Sequence, residues 1–135
     1  MCAVDMIMEG VESLRVKYVN LIYNDKLEEA AKKKYWELYF DKNTSEGRNG
    51  GAHVTYLLNF LKKSTSGFMA GEGLTLADLA VWEITDLHLR IFEKELKDSY
   101  PELMTFQAKI ADLPGIKEYL AGPKRLAAPN ANNLG

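Results

Sequence analysis

From Val4 onward the apolar residues fall three and four apart: Val4, Ile7, Met8, Val11, Leu14, Tyr18, Leu21 and Ile22. That spacing is one face of an α-helix and excludes a strand, whose faces repeat every second residue. Asp5, Glu9, Glu12 and Lys17 occupy the opposite side. The stripe starts with no capping residue ahead of it. Helices seldom begin so abruptly at a true N-terminus, so the expectation is that sequence is missing upstream.

The same spacing continues along the chain. Asp25 and Glu28 are placed to cap a second helix carrying Ala30, Ala31, Tyr35 and Leu38. Asp41 to Gly51 reads as a loop, rich in Asn, Ser and Gly. Val54, Leu57, Leu58 and Leu61 give a third helix its face, and Ser64-Thr65-Ser66-Gly67 ends it. Thr75 and Asp78 then form the strongest local signal, an N-cap and N3 pair flanked by Leu74 and Leu79 as a hydrophobic staple. The helix they open is apolar almost all round between Ala80 and Ile84, which predicts a central position. Tyr100-Pro101-Glu102 opens a further helix with Pro near N1, and Leu113-Pro114-Gly115 precedes a short last one. The fold class is therefore all-α, a bundle of five or six helices over residues 1–123, with an irregular tail over 124–135.

Composition narrows the function classes. The 135 residues are 47% hydrophobic, enough for one domain with its own core. With 19 acids against 17 bases, net charge −2, the chain has no electrostatic footprint for nucleic acid. No apolar run approaches the roughly 18 residues needed to span a membrane, and the N-terminus has no basic segment of a signal peptide. The single cysteine, Cys2, excludes an internal disulfide and suits a reducing compartment, so a cytoplasmic location is expected.

Self-contained chemistry is hard to find. Cys2 sits at the chain end with neither His53 nor His88 near it in sequence. Asp5, Glu9 and Glu12 read first as a solvated face, and His88 as a packing or surface histidine. Gly47-Arg48-Asn49-Gly50-Gly51 lacks the strand and the Gly-Lys-Ser/Thr order of a phosphate loop. No metal site is expected. Tyr18, Tyr23, Tyr35, Tyr39 and Tyr56 read as core or interface aromatics.

Several stretches resemble a known family. Val4-Asp5-Met6, Glu9 to Arg15, Lys17-Tyr18 and Leu21-Ile22-Tyr23 resemble the first helix of the C-terminal domain of pi-class cytosolic glutathione S-transferases. Gly71 to Asp78 resembles the capping motif before that domain's central helix. Tyr100 to Leu103, Leu113 to Leu120 and Pro129-Asn130 follow in the family's order. The resemblance implies an activity, conjugation of glutathione as co-substrate to small hydrophobic electrophiles, with detoxification as its setting, no further cofactor and a homodimeric enzyme. It also implies a thioredoxin-like N-terminal domain that binds glutathione and supplies the thiol-activating tyrosine. That domain has no counterpart in these residues, so no catalytic residue is expected here and the chain alone is expected to be inactive.

Residue by residue, the resemblance puts Tyr23 on the electrophile site as a hydrogen-bond donor to substrate oxygen, with Val19 as a neighbouring apolar wall. Ser13 stands where many pi enzymes carry an Asp that reaches the γ-glutamyl end of the partner subunit's glutathione. Serine keeps a hydrogen bond and loses the charge, which either ends that contact or hands it to Glu12 or Glu9. Thr75 and Asp78 are structural on every reading. From the residue alone, Tyr23 is equally an ordinary amphipathic aromatic. Two other functions fit the same residues. One is a non-catalytic dimerisation module, with faces at Met8 to Tyr23 and His53 to Leu61. The other is a hydrophobic ligand carrier using a pocket near Tyr23.

Overall fold

The computed structural model describes residues 2–41, 52–122, 125, 130–132 and 134. Met1, the loop expected from residue 42 to Gly51 with its glycine-rich Gly47–Gly51 run, and Pro123, Lys124 and Pro129 lie outside them. Six α-helices occur among the described residues: α1 Ala3–Val19, α2 Glu29–Tyr39, α3 Ala52–Lys63, α4 Leu76–Ser99, α5 Pro101–Ala111 and α6 Ile116–Ala121. No strand is found among them.

The heptad-like stripe on α1 is the stripe that is buried. Ile7, Val11, Leu14 and Tyr18 are all enclosed, and α1 packs on α3 and on the central α4. α4 buries Ala77, Ala80, Val81, Ile84, Thr85, Leu87 and His88, as its apolar circumference predicts. Its other neighbour is α5, fastened by a reciprocal pair: Trp82 Nε1 donates to the Gln107 carbonyl at 3.0 Å, and Gln107 Nε2 donates to the Trp82 carbonyl at 3.1 Å. At Phe92 the backbone leaves helical geometry (φ −121°, ψ 39°), and α4 bends there. Trp36 and Tyr35 of α2 lie against the Phe92 ring at the bend.

The capping box is formed, and it does more than cap. Asp78 is completely buried. Its Oδ2 accepts from the Thr75 amide at 2.8 Å and from the Thr75 hydroxyl at 3.3 Å. Its Oδ1 accepts from the amide of Met69 at 2.7 Å, nine residues back. One carboxylate thus starts α4 and also ties down the connection from α3. Ser66 organises the rest of that connection, accepting from the Phe68 amide at 3.2 Å and donating to the Gly71 carbonyl at 2.7 Å. The staple leucines stay at the surface, Leu74 46% and Leu79 41% exposed.

Two departures from the sequence reading lie at the end of the first helix. Asn20–Asn24 form a π-helical turn continuous with α1. The Asp25 amide bonds the Asn20 carbonyl at 3.0 Å, five residues back. The expected cap at Asp25 and Glu28 does not form; α2 begins at Glu29, and Glu28 makes no side-chain cap. The reason is the backbone in between. Lys26 and Leu27 both take positive φ, 51° and 53°, and reverse the chain so that the Leu27 amide bonds the Leu21 carbonyl at 3.1 Å. Asp25 therefore closes the turn instead of opening the next helix, accepting from Asn20 Nδ2 at 3.4 Å.

Beneath α1, α2 and α4 lies an aromatic cluster around His88, which is 1% exposed. Tyr35 Oη and His88 Nε2 are 2.7 Å apart, and His88 Nδ1 lies 2.7 Å from the Ile84 carbonyl. Since the carbonyl can only accept, Nδ1 carries the proton and Nε2 accepts from the Tyr35 hydroxyl. Tyr18, Phe40 and Tyr35 rings surround the imidazole. Burial pushes His88 down to about 4 and pushes the Tyr35 phenol above its ordinary range.

Two outcomes follow from this core. Asp78→Ala strands two backbone amides as well as the cap, so we expect a loss of roughly 2–4 kcal/mol, read from the urea midpoint. A loss near zero means the buried carboxylate is not what holds the segment. His88 is neutral when folded, with its value near 4, against 6.5 for an exposed imidazole. The unfolded chain therefore takes up the proton first as pH falls. Stability is complete above pH 6.5 and declines as pH falls to about 4, by on the order of 3 kcal/mol. Urea titrations at pH 7, 5.5 and 4 measure the decline, and His88→Gln should flatten it.

Candidate functional site

The π turn gives the end of the first helix its chemistry. An α-helix would place Tyr18 and Tyr23, five residues apart, on different sides; the i→i+5 hydrogen bonds of a π turn put more residues in each turn and bring the two closer round the axis. Tyr18 is buried and Tyr23 is 41% exposed. One strap of chain meets both hydroxyls. Asn130 Nδ2 donates to Tyr18 Oη at 2.8 Å, and the Ala131 amide donates to Tyr23 Oη at 3.1 Å. Asn132 Nδ2 donates at 2.9 Å to the Ile22 carbonyl, which an uninterrupted helix would give to residue 26. Asn130 also bonds the Leu134 carbonyl at 2.8 Å, which folds the strap on itself. Burial raises the Tyr18 phenol, and the Asn130 hydrogen bond partly offsets this. Among the described residues, the Tyr23 hydroxyl donates to no group.

Val19 lies one turn before Tyr23 and is 44% exposed; Val16 beside it is 67% exposed. Together they make an apolar face with one phenol on it. Two clefts in the domain include neither Tyr23 nor Val19. A groove of about 530 Å³ between α1 and α2 is lined by Val16, Lys17, Asn20, Tyr35 and Tyr39. A cleft of about 390 Å³ between α4 and α6 is lined by Leu79, Trp82, Leu87, Ile116, Tyr119 and Arg125. Arg125 is fixed there by Asp86, with Nη2 3.0 Å from both carboxylate oxygens.

The remaining candidates separate. Ser13 and Glu12 are exposed on α1, but they face different partners. Glu12 pairs with Arg15 at 3.0 Å, and Arg15 continues to Glu83 of α4 at 3.2 Å. Ser13 Oγ lies 3.5 Å from Nε2 of His53 on α3. The two helices approach closely because residue 10 is glycine: a Cβ there would sit 2.9 Å from the Tyr56 ring and 3.3 Å from Leu57. Desolvation lowers His53, and Lys17 lowers it further. Cys2 Sγ is engaged with Asp5 Oδ2 at 3.1 Å. Among the described residues, no three His, Cys, Asp or Glu side chains converge to hold a metal ion. No helix among them is long and apolar enough to cross a membrane.

Sequence reasoning missed Asn132 and the role of Asn130. Their partners lie more than a hundred residues away in the chain, and no local pattern marks them.

Residues 12–123 match the family described as Glutathione S-transferase, C-terminal domain. The chain belongs to the glutathione S-transferase family. It is 29% identical over 136 residues to Glutathione S-transferase P of Bos taurus, covering 96% of this chain and 56% of that protein. It is 31% identical over 132 residues to Glutathione S-transferase P 1 of Xenopus laevis, covering 93% and 54%. With Glutathione S-transferase P of Homo sapiens the identity is 26%, over the same shares as for Bos taurus. The chain is pi-like, and it spans about half the length of the curated relatives it matches. No solved structure matches it.

In this glutathione S-transferase domain the Ser13 position is measurable through its neighbour. Ser13→Asp puts a carboxylate against His53, and an opposite charge at that range raises an imidazole by about one unit or more. An NMR titration of the His53 ring should move up accordingly, from below 6.5 in the unaltered chain. An unmoved titration means the two side chains do not face each other in solution.

Proposed function

We propose that these helices form the electrophile-binding half of a glutathione transferase. Glutathione and its activating tyrosine belong to a thioredoxin-like domain, and the helical half supplies one wall of an apolar site. Tyr23 and Val19 form that wall. The observation that carries the reading is the Tyr23 phenol, exposed one turn after Val19 and with no acceptor for its proton among the described residues. A phenol so placed stabilises negative charge developing on an electrophile's oxygen. The opposite wall of that site is assigned to the thioredoxin-like domain. The wall acts by holding the electrophile against the thiol. No catalytic residue and no metal is assigned to this chain.

The proposed enzyme is a cytoplasmic homodimer acting on small hydrophobic electrophiles in detoxification. Ser13 is proposed to face the partner subunit's glutathione, with hydrogen bonding but no charge. Glu12 is the weaker candidate for that contact, because Arg15 already neutralises it.

The test uses the chain with glutathione and a chlorodinitrobenzene, alone and fused to a thioredoxin-like glutathione-binding domain. The chain alone should give no turnover above the uncatalysed rate, and the fusion should give conjugate. Tyr23→Phe in the fusion should lower kcat/KM about tenfold, the effect of roughly 1.4 kcal/mol in the transition state. Turnover by the chain alone, or a fusion indifferent to Tyr23→Phe, overturns the reading.

A further inference from the structure

The strap at residues 130–132 and 134 is tied to the end of the first helix by side chain and backbone alike. Its hydrogen bonds there go to the Tyr18 hydroxyl on α1 and to the Tyr23 hydroxyl and Ile22 carbonyl of the π turn. The two asparagine side chains supply the outer bonds, and the Ala131 amide between them supplies the bond to Tyr23. A phenol oxygen has one proton to give and lone pairs to receive with. An N–H lying on it fills a lone pair and cannot take the proton. The Ala131 amide therefore leaves the phenol proton free for another acceptor, and Tyr23 and Val19 are both exposed. Receiving a hydrogen bond also makes a hydroxyl a better donor, since chained hydrogen bonds polarise one another.

We propose that Asn130 and Asn132 are positioning residues for Tyr23, clamping the strap so that the Ala131 amide stays on the phenol oxygen and commits its proton to an oxygen of the bound electrophile. The ligands selected are those carrying a carbonyl, nitro or similar acceptor oxygen, over apolar molecules of the same shape. The inference rests on the role proposed above for Tyr23 and adds what sets its direction. Asn132 matters through its Nδ2, because the Ile22 carbonyl accepts only from a donor. Asn132→Asp keeps the shape and removes the donor. Asn130→Asp does the same at Tyr18, where the hydroxyl can turn to donate instead, so the effect there is smaller.

The experiment measures binding of 2-acetonaphthone and of 2-ethylnaphthalene, the same skeleton without the oxygen, to the 135-residue chain. It also follows hydrogen exchange of the Ala131 amide by NMR. The unaltered chain should favour the ketone about fivefold, the worth of one neutral hydrogen bond. Tyr23→Phe should abolish that preference. Asn132→Asp should reduce it to twofold or less and speed Ala131 exchange at least tenfold, with ethylnaphthalene affinity unchanged. A merely structural asparagine would move both ligands together, and that result overturns the proposal. A ketone preference that survives Asn132→Asp while Ala131 exchange accelerates also overturns it, and leaves the role of Tyr23 standing. No ketone preference in the unaltered chain, with Ala131 protected, overturns the role of Tyr23 and the positioning claim with it.

Discussion

A carboxylate with no access to water holds the centre of this domain in register. Asp78 satisfies the amide that begins α4 and the amide of Met69 in the preceding connection. A buried charge is tolerable only when hydrogen bonds replace its hydration, and here backbone donors do so. Because α4 is the helix on which both α1 and α5 pack, its starting point sets where His88 falls among the aromatic rings. His88 in turn reaches Tyr35 of α2. Capping, core and interhelical polar contact are therefore one chain of dependence.

The sequence showed the helices where a repeating face was buried and failed where geometry was set by distant chain. The α1 stripe, the Thr75–Asp78 box and Pro101 at the head of α5 were readable because each acts within a turn or two of itself. Asp25 and Glu28 have the composition of a cap, yet the chain between them is reversed by Lys26 and Leu27, neither of them a residue type that advertises positive φ. The π turn was invisible for a related reason. Leu21 and Ile22 are buried under either helical repeat, so the pattern cannot tell four residues per hydrogen bond from five.

The site divides along the same line. Tyr23, Val19 and Ser13 were found through likeness to a family, and the structure puts all three on exposed faces of the first helix and its π turn. What surrounds them was not legible. His53 beside Ser13 depends on the close α1–α3 approach at Gly10. The amide on Tyr23 comes from the far end of the chain. An exposed phenol says little in itself; which groups meet its oxygen is a property of the fold.

Two successive residues with left-handed backbone, neither glycine, are costly, about 1–2 kcal/mol each. Lys26 and Leu27 take that conformation directly after the π turn. The turn resembles a wound spring latched by Asn132 on the Ile22 carbonyl. In an ordinary helix, residues five apart stand about 140° from each other round the axis; without the π turn, Tyr23 would leave the side on which the strap meets the Tyr18 hydroxyl as well.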